Sequence, residues 1–358
     1  MVSPRLLNVL GKLEAGLVRT LLKLPPRVQL ALSGKSAICL DGETLHPEIQ
    51  LLLALRTLQG MPTLTSGSPE FARARVRREA TVHGGAPIPV AGVRDLQLDG
   101  AAGPMRARHY EPRDGHGKPL LLFLHGGGFV ICDLDTHDGA CRILCRDADV
   151  HVLSVEYRLA PEHRFPAGVE DARAALRWAQ RHAAELGADP RRIAMGGDSA
   201  GGNLSTVATQ LAAENGEEPP CMQLLIYPAV DRITPRPSLK LFERGFLLTA
   251  SDMEWFNGHT CGPDVELGNP WISPLHCRNL AGLPPALIVT AAFDPLRDEG
   301  EAYAEALRAA GSQAEVWRVP GMVHGFINMV GPSPAARAAT VELARRFRQL
   351  LDTACPAP

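Results

Sequence analysis

The stretch Ile193-Ala-Met-Gly-Gly-Asp-Ser199-Ala-Gly-Gly-Asn203 decides the fold. A short apolar run, Ile193 to Met195, ends on two glycines and turns at Asp198-Ser199-Ala200-Gly201. It then enters a segment with helical spacing that continues from Asn203 to Glu214. Strand, sharp turn and helix form the context in which Gly-x-Ser-x-Gly becomes a nucleophile elbow. The turn forces unusual backbone angles on the serine, and the flanking glycines let strand and helix approach where a β-carbon would collide. Ser199 Oγ is then expected to project from the carboxyl edge of a sheet.

Runs of the same kind lie on both sides: Leu120 to Leu124, Val150 to Val155, Leu224 to Ile226 and Ala286 to Thr290. Continuous apolar runs of this length imply strands covered on both faces, as in a parallel sheet. Helical stretches, Val169 to Leu186 and Glu299 to Ala310, alternate with them, which gives an α/β core. Before this core, Val93 to Leu98 and Met105 to Tyr110, separated by Asp99-Gly100 and further turn residues, read as a hairpin.

The chain has 358 residues, 45% hydrophobic and 21% charged, with 37 Lys+Arg against 39 Asp+Glu for a net charge of −2. That length supports a core without disulfide or metal staples. The near-neutral balance lacks the electrostatic footprint of a nucleic-acid binder. The 8 cysteines show neither a disulfide framework nor zinc-site spacing, so a reducing, cytoplasmic setting and no metal are expected. Cys141 and Cys145, four apart, share a face if helical and read as small buried thiols.

Near the N-terminus, Leu6, Leu10, Leu13, Leu17, Leu21 and Leu24 recur at helical spacing among Arg5, Lys12, Arg19, Lys23, Arg27 and Lys35. This is a cationic amphipathic helix or helix pair. Charges interrupt its apolar runs too often for a membrane span, and it lacks the h-region and cleavage site of a signal peptide. It is expected to pack on the rest of the chain, with membrane-surface contact through the basic face as the alternative. Pro47 to Leu58 reads as a further helix, and Gly60 to Pro69 as a Gly/Pro/Ser-rich connection.

The chemistry adds His125-Gly126-Gly127-Gly128-Phe129, directly after the run Leu120 to Leu124. Consecutive glycines let the amides of Gly126 and Gly127 converge on a developing oxyanion, with the amide of Ala200 as a third donor. His125 is read as the anchor of this loop. A serine nucleophile needs a base, and the base needs an acid to orient it. Asp294 closes the run that begins at Ala286, and His324 follows the β-like stretch Ala314 to Val319. The order Ser199, Asp294, His324 is that of the α/β-hydrolases. Asp298, Asp231 and Asp264 are the competing acids; His163, His259 and His276 are read as loop, surface or cap histidines.

Together these residues closely resemble the hormone-sensitive-lipase-type carboxylesterases, the bacterial family IV esterases of the α/β-hydrolase superfamily. The resemblance rests on His125 to Phe129, Tyr157-Arg-Leu-Ala-Pro-Glu-His-Arg-Phe-Pro-Ala167, Gly197 to Gly202, Asp294-Pro-Leu-Arg-Asp-Glu-Gly300 and His324-Gly-Phe326, and extends from about Leu45 onward. It implies a mostly parallel eight-stranded sheet with helices on both faces and a helical cap. The cap would be residues 1–85, over a catalytic domain of residues 86–358, with residues 231–275 as a second cap segment. It also implies hydrolysis of short- to medium-chain esters without metal or cofactor, and a homodimer contact through the last strand. Asp198 is one of two common residues before the serine in this family and is not the triad acid; Gly128 completes the glycine motif. Many relatives carry Gly in place of Cys132 and Glu in place of Ala291. An amidase, deacetylase or lactonase could use the same triad, and a ligand-binding member without catalysis is the remaining alternative.

Overall fold

The computed structural model describes residues 4–60 and 64–357, apart from the side chains of residues 4–10 and 12. The side chains of Arg5, Leu6, Leu10 and Lys12, and residues 61–63 of the Gly60–Pro69 connection, therefore lie outside the described residues.

The N-terminal region holds helices α1 (Pro4–Leu21) and α2 (Pro26–Leu32), a small ladder of β1 (Cys39–Leu40) and β2 (Glu43–Thr44), and helices α3 (Pro47–Leu58) and α4 (Pro69–His83). The hairpin β3 (Gly92–Gly100) and β4 (Gly103–Glu111) follows, then β5 (Lys118–Leu124), α5 (Asp138–Asp147), β6 (His151–Val155), α6 (Ala167–His182), β7 (Ala188–Asp198), α7 (Ala200–Glu214) and β8 (Met222–Ile226). Helices α8 (Pro237–Leu241) and α9 (Ala250–Thr260) interrupt the alternation before β9 (Ala286–Phe293), α10 (Arg297–Ala309), β10 (Ala314–Val323) and α11 (Pro334–Ala354). Eight strands form one sheet in the order β10-β9-β8-β7-β5-β6-β4-β3. Only the β3–β4 and β4–β6 pairs are antiparallel; β5 to β10 are parallel, as expected. β10 is an edge strand, where the resemblance places a dimer contact.

β5 shows why its run is apolar throughout. Leu121 and Phe123 point into a core shared with Cys141 and Cys145 of α5 and Leu343 and Phe347 of α11. Leu120, Leu122 and Leu124 point the other way, onto Ala172 and Leu176 of α6 and Val207 and Leu211 of α7. Side chains alternate across a strand, so covering both faces makes every position apolar. Truncating any one of these leucines to alanine would cost about 2–5 kcal/mol. The cysteines of α5 are core thiols, and burial pushes Cys145 up to about 12.

The N-terminal helices are tied to this body. Ala15, Val18 and Leu22 are buried, the last two against Leu51 of α3, while Leu13 and Leu17 remain 66% and 60% exposed. Helix α4 has no counterpart in the sequence reading. Ser68 caps it and Pro69 opens it, but only Pro69 and Ala72 are buried along its length, so no apolar stripe announces it.

At the other end of the sheet His109 of β4 and His151 of β6 form a buried stacked pair. His151 donates from Nε2 to Gly115 O at 2.6 Å, which leaves its Nδ1 to accept from His109 Nε2 at 2.9 Å. Burial first, then the neighbouring His151, holds His109 down to about 3. The unfolded chain takes up this proton near the ordinary histidine pKa of about 6.5. The stabilisation is therefore present above that pH and is lost as pH falls toward 3. Melting temperature is expected to decline on acidification through this window, and His109→Gln should flatten part of that limb in calorimetric scans.

Candidate active site

The turn after β7 carries Ser199 at φ 53°, ψ −116°, in a region that side chains rarely occupy. What makes the turn possible is close approach. A β-carbon on Gly201 would lie 1.9 Å from Leu124 O, so only glycine lets α7 start against the end of β5. Ser199 stands 9% exposed at the head of α7.

Asp294, just past β9, and His324, just past β10, come to the same edge from separate strands. His324 Nε2 lies 2.9 Å from Ser199 Oγ and its Nδ1 lies 2.8 Å from Asp294 Oδ2. A carboxylate only accepts, so Nδ1 carries the proton and Nε2 is left to accept from the serine hydroxyl. The second oxygen of Asp294 accepts from the Leu296 amide at 2.8 Å, which fixes the carboxylate. Two of the competing acids, Asp231 and Asp298, are committed elsewhere. Asp231 holds Arg236 and His276 at 3.0 and 2.9 Å, and Asp298 accepts from the Ser238 amide and from Arg297.

The glycine loop requires one correction. The Gly126 amide donates to Asp198 Oδ1 at 2.7 Å and so is not free for an oxyanion. Among the described residues the amides of Gly127, Gly128 and Ala200 have no partner, and all three residues line the cavity in front of Ser199. Gly128, and not Gly126, thus presents a free amide beside those of Gly127 and Ala200. It sits at φ +58°, and a β-carbon there would fall 2.3 Å from the Phe256 ring. His125 anchors the loop from beneath: its Nδ1 bonds Gly126 O at 2.7 Å and its ring stacks on Tyr157 at 4.5 Å. Burial holds it down to about 4, so it is neutral at pH 7. Cys132, at the position where many relatives carry Gly, adopts φ 72°, a geometry that suits glycine better.

Asp198 has more to do than its place before the serine suggests. Besides the Gly126 amide, its Oδ1 accepts from His137 Nε2 at 3.0 Å, and its Oδ2 accepts from Tyr227 Oη at 3.3 Å. Burial works against its ionisation, but His137 and the Gly126 amide outweigh it and hold the carboxyl below the usual range. The Tyr227 ring also lies 4.5 Å from that of His324. Nothing in the sequence marked His137 or Tyr227, since each acts through contacts made only in the fold. Helix α4 supplies Arg73, which donates to Val130 O and Ala160 O at 2.7 Å each, and Arg77, which holds Asp133.

A cavity of about 620 Å³ opens from Ser199 and His324. One wall comes from α3 and α4, including Leu52, Leu55 and Val76; the other comes from residues 231–257, including Leu248, Met253 and Phe256. Thr65 Oγ1 donates to Asp252 Oδ1 at 2.6 Å and joins the two walls. Among the described residues no group of three or more His, Cys, Asp or Glu could hold a metal, and no helix is long and apolar enough to cross a membrane.

The fold and this site define a class, and comparison with known proteins specifies it. A family model described as alpha/beta hydrolase fold matches residues 121–328. Carboxylic ester hydrolase LipN of Mycobacterium tuberculosis is 46% identical over 342 residues, covering 94% of this chain and 91% of that protein. Ethyl acetate hydrolase of Pseudomonas putida is 41% identical, covering 61% and 74%. The crystal structure of LAE6, an alpha/beta hydrolase enzyme from the metagenome of Lake Arreo, superposes with a TM-score of 0.82 at 38% identity, over 86% of this chain and 98% of that one. The chain belongs to the α/β-hydrolase fold family, in its hormone-sensitive-lipase-type carboxylesterase branch.

Glu299 of α10 also lines the cavity and accepts from the amides of Val230 and Asp231. Burial, reinforced by the charges of Asp231 and Asp294, pushes its carboxyl up to about 8. The native state therefore binds a proton that the unfolded chain releases near 4.5, and this stabilisation is lost as pH rises toward 8. In Glu299→Gln, which can still accept from both amides, Tm is expected to fall less between about pH 6 and 9 than in the wild type. An unchanged slope would remove Glu299 as the source.

Proposed function

We propose that this protein is a serine carboxylesterase that hydrolyses short- to medium-chain carboxylic esters through an acyl-enzyme. The observation that carries the reading is the unbroken relay from Asp294 Oδ2 through His324 to Ser199 Oγ, at 2.8 and 2.9 Å, opening on a largely apolar cavity. Ser199 Oγ attacks the ester carbonyl while His324 Nε2 takes its proton. The carbonyl oxygen becomes an oxyanion received by the amides of Gly127, Gly128 and Ala200. Collapse breaks the bond to the alkoxy group, and His324 protonates the departing alcohol. Water then attacks the acyl-serine, giving its proton to His324, and the acid leaves as Ser199 recovers its own. In this reading residues 1–85 and 231–275 form the cap over the catalytic body of residues 86–358.

A series of 4-nitrophenyl esters from acetate to palmitate is expected to show an optimum at short to medium chains. Ser199→Ala should retain its melting profile and lose turnover by at least about a thousandfold. Substantial turnover in that variant would displace the triad assignment, and turnover of matched anilides but not esters would favour an amidase.

We propose further that the N-terminal helices rest on anionic lipid. Leu13, Leu17, Val28 and Leu32 are 66%, 60%, 41% and 52% exposed, beside exposed Lys23, Arg27 and Lys35, the combination of an interfacial helix pair. Co-sedimentation with phosphatidylglycerol vesicles is expected for the wild type and not for the Leu13→Glu/Leu17→Glu double variant. Equal partitioning of both proteins would defeat the idea.

A further inference from the structure

Arg232 leaves β8 at the root of the second cap segment and lines the catalytic cavity. Its guanidinium lies over the Phe129 ring at 5.1 Å, and Phe129 directly follows Gly128 of the oxyanion loop. Its Nη1 donates to Asn257 Oδ1 at 2.6 Å and meets Cys261 Sγ at 3.7 Å. Those are the guanidinium's hydrogen-bond partners among the described residues, and neither is a carboxylate. The neighbouring acids are otherwise engaged: Asp231 is bound to Arg236 and His276, Asp294 to His324, and Glu299 to two backbone amides. The other arginine lining this cavity, Arg56, is paired with Glu79 at 3.0 Å.

An enclosed charge without a counter-ion is costly, and a guanidinium does not escape the cost by releasing its proton at any ordinary pH. Burial is also the leading influence on this group, displacing its proton affinity downward. Its remaining donors are not sealed in protein. Unlike the nitrogens of Arg75, none of those of Arg232 is both buried and without a hydrogen-bond partner. Its free donors are therefore accessible, and Arg232 borders both the catalytic cavity and a small adjoining pocket lined by Phe129, His163 and Trp271. A planar fork with free donors matches a carboxylate in shape as well as charge. One cation also balances one negative charge, where a phosphate dianion would call for more.

We propose that Arg232 is a specificity-determining residue that binds a carboxylate carried by the ester substrate, either at the far end of the acyl chain or on the alcohol. The inference rests on the esterase reading, and the tests separate the two. In the acyl arm, monoethyl glutarate is compared with ethyl pentanoate; in the alcohol arm, 4-acetoxybenzoate is compared with phenyl acetate. The wild type is expected to prefer the anionic member of at least one pair by kcat/KM, and the preference should shrink as salt is added. In Arg232→Gln the anionic-to-neutral ratio should fall at least about tenfold, with partial recovery in Arg232→Lys, which keeps the charge and loses the fork. Change of less than about twofold in both arms for both variants would overturn the proposal. Calorimetric binding of monoethyl glutarate and 4-acetoxybenzoate to Ser199→Ala, with and without Arg232→Gln or Arg232→Lys, gives a readout that needs no turnover. A loss of affinity confined to the Arg232 variants supports the site even if the esterase reading fails. Equal affinity in all three proteins refutes the site even if that reading holds.

Discussion

The bond from the Gly126 amide to Asp198 Oδ1 joins two loops that belong to different strands. One follows β5 and carries the unpartnered amides of Gly127 and Gly128; the other follows β7 and carries Ser199. Sheet hydrogen bonding sets β5 beside β7, but it does not by itself fix how their two exits lie relative to each other. Asp198 does so with a buried carboxylate that also engages His137 and Tyr227. A charged acceptor in an enclosed setting makes a strong tie, and all its oxygen sites must be used for its burial to be tolerated. Displacement of a donor by a fraction of an ångström weakens transition-state stabilisation, which is why this connection has to be stiff.

The same reasoning explains what the sequence could and could not disclose. The parallel strands were legible because burial on both faces leaves a continuous apolar run, and β5 keeps that run as Leu120 to Leu124 inside two cores. Ser199, Asp294 and His324 were legible because each terminates or follows such a run in the required order. Helix α4 was not, since its four arginines hide its period and it is held by hydrogen bonds to Val130 O and Ala160 O instead of an apolar stripe. The bonding of the Gly126 amide is not legible in the sequence for a different reason. Consecutive glycines say that the backbone is free to turn, but which amide faces the cavity depends on the acceptor waiting behind it, here Asp198. Arg232 carries no signal in the sequence, and only the positions of the surrounding acids show that no carboxylate pairs with it.

Helix α9 and the glycine loop after β5 meet at one close contact. Phe256 belongs to α9, yet its ring occupies the space where Gly128 would otherwise hold a side chain. Helix α9 thus packs directly against one of the three unpartnered amides beside Ser199. If α9 lifts to admit substrate or release product, the donor loses its brace while the cavity is open to water. A displacement of α9 would therefore act on the backbone at Gly128 as well as on the width of the cavity.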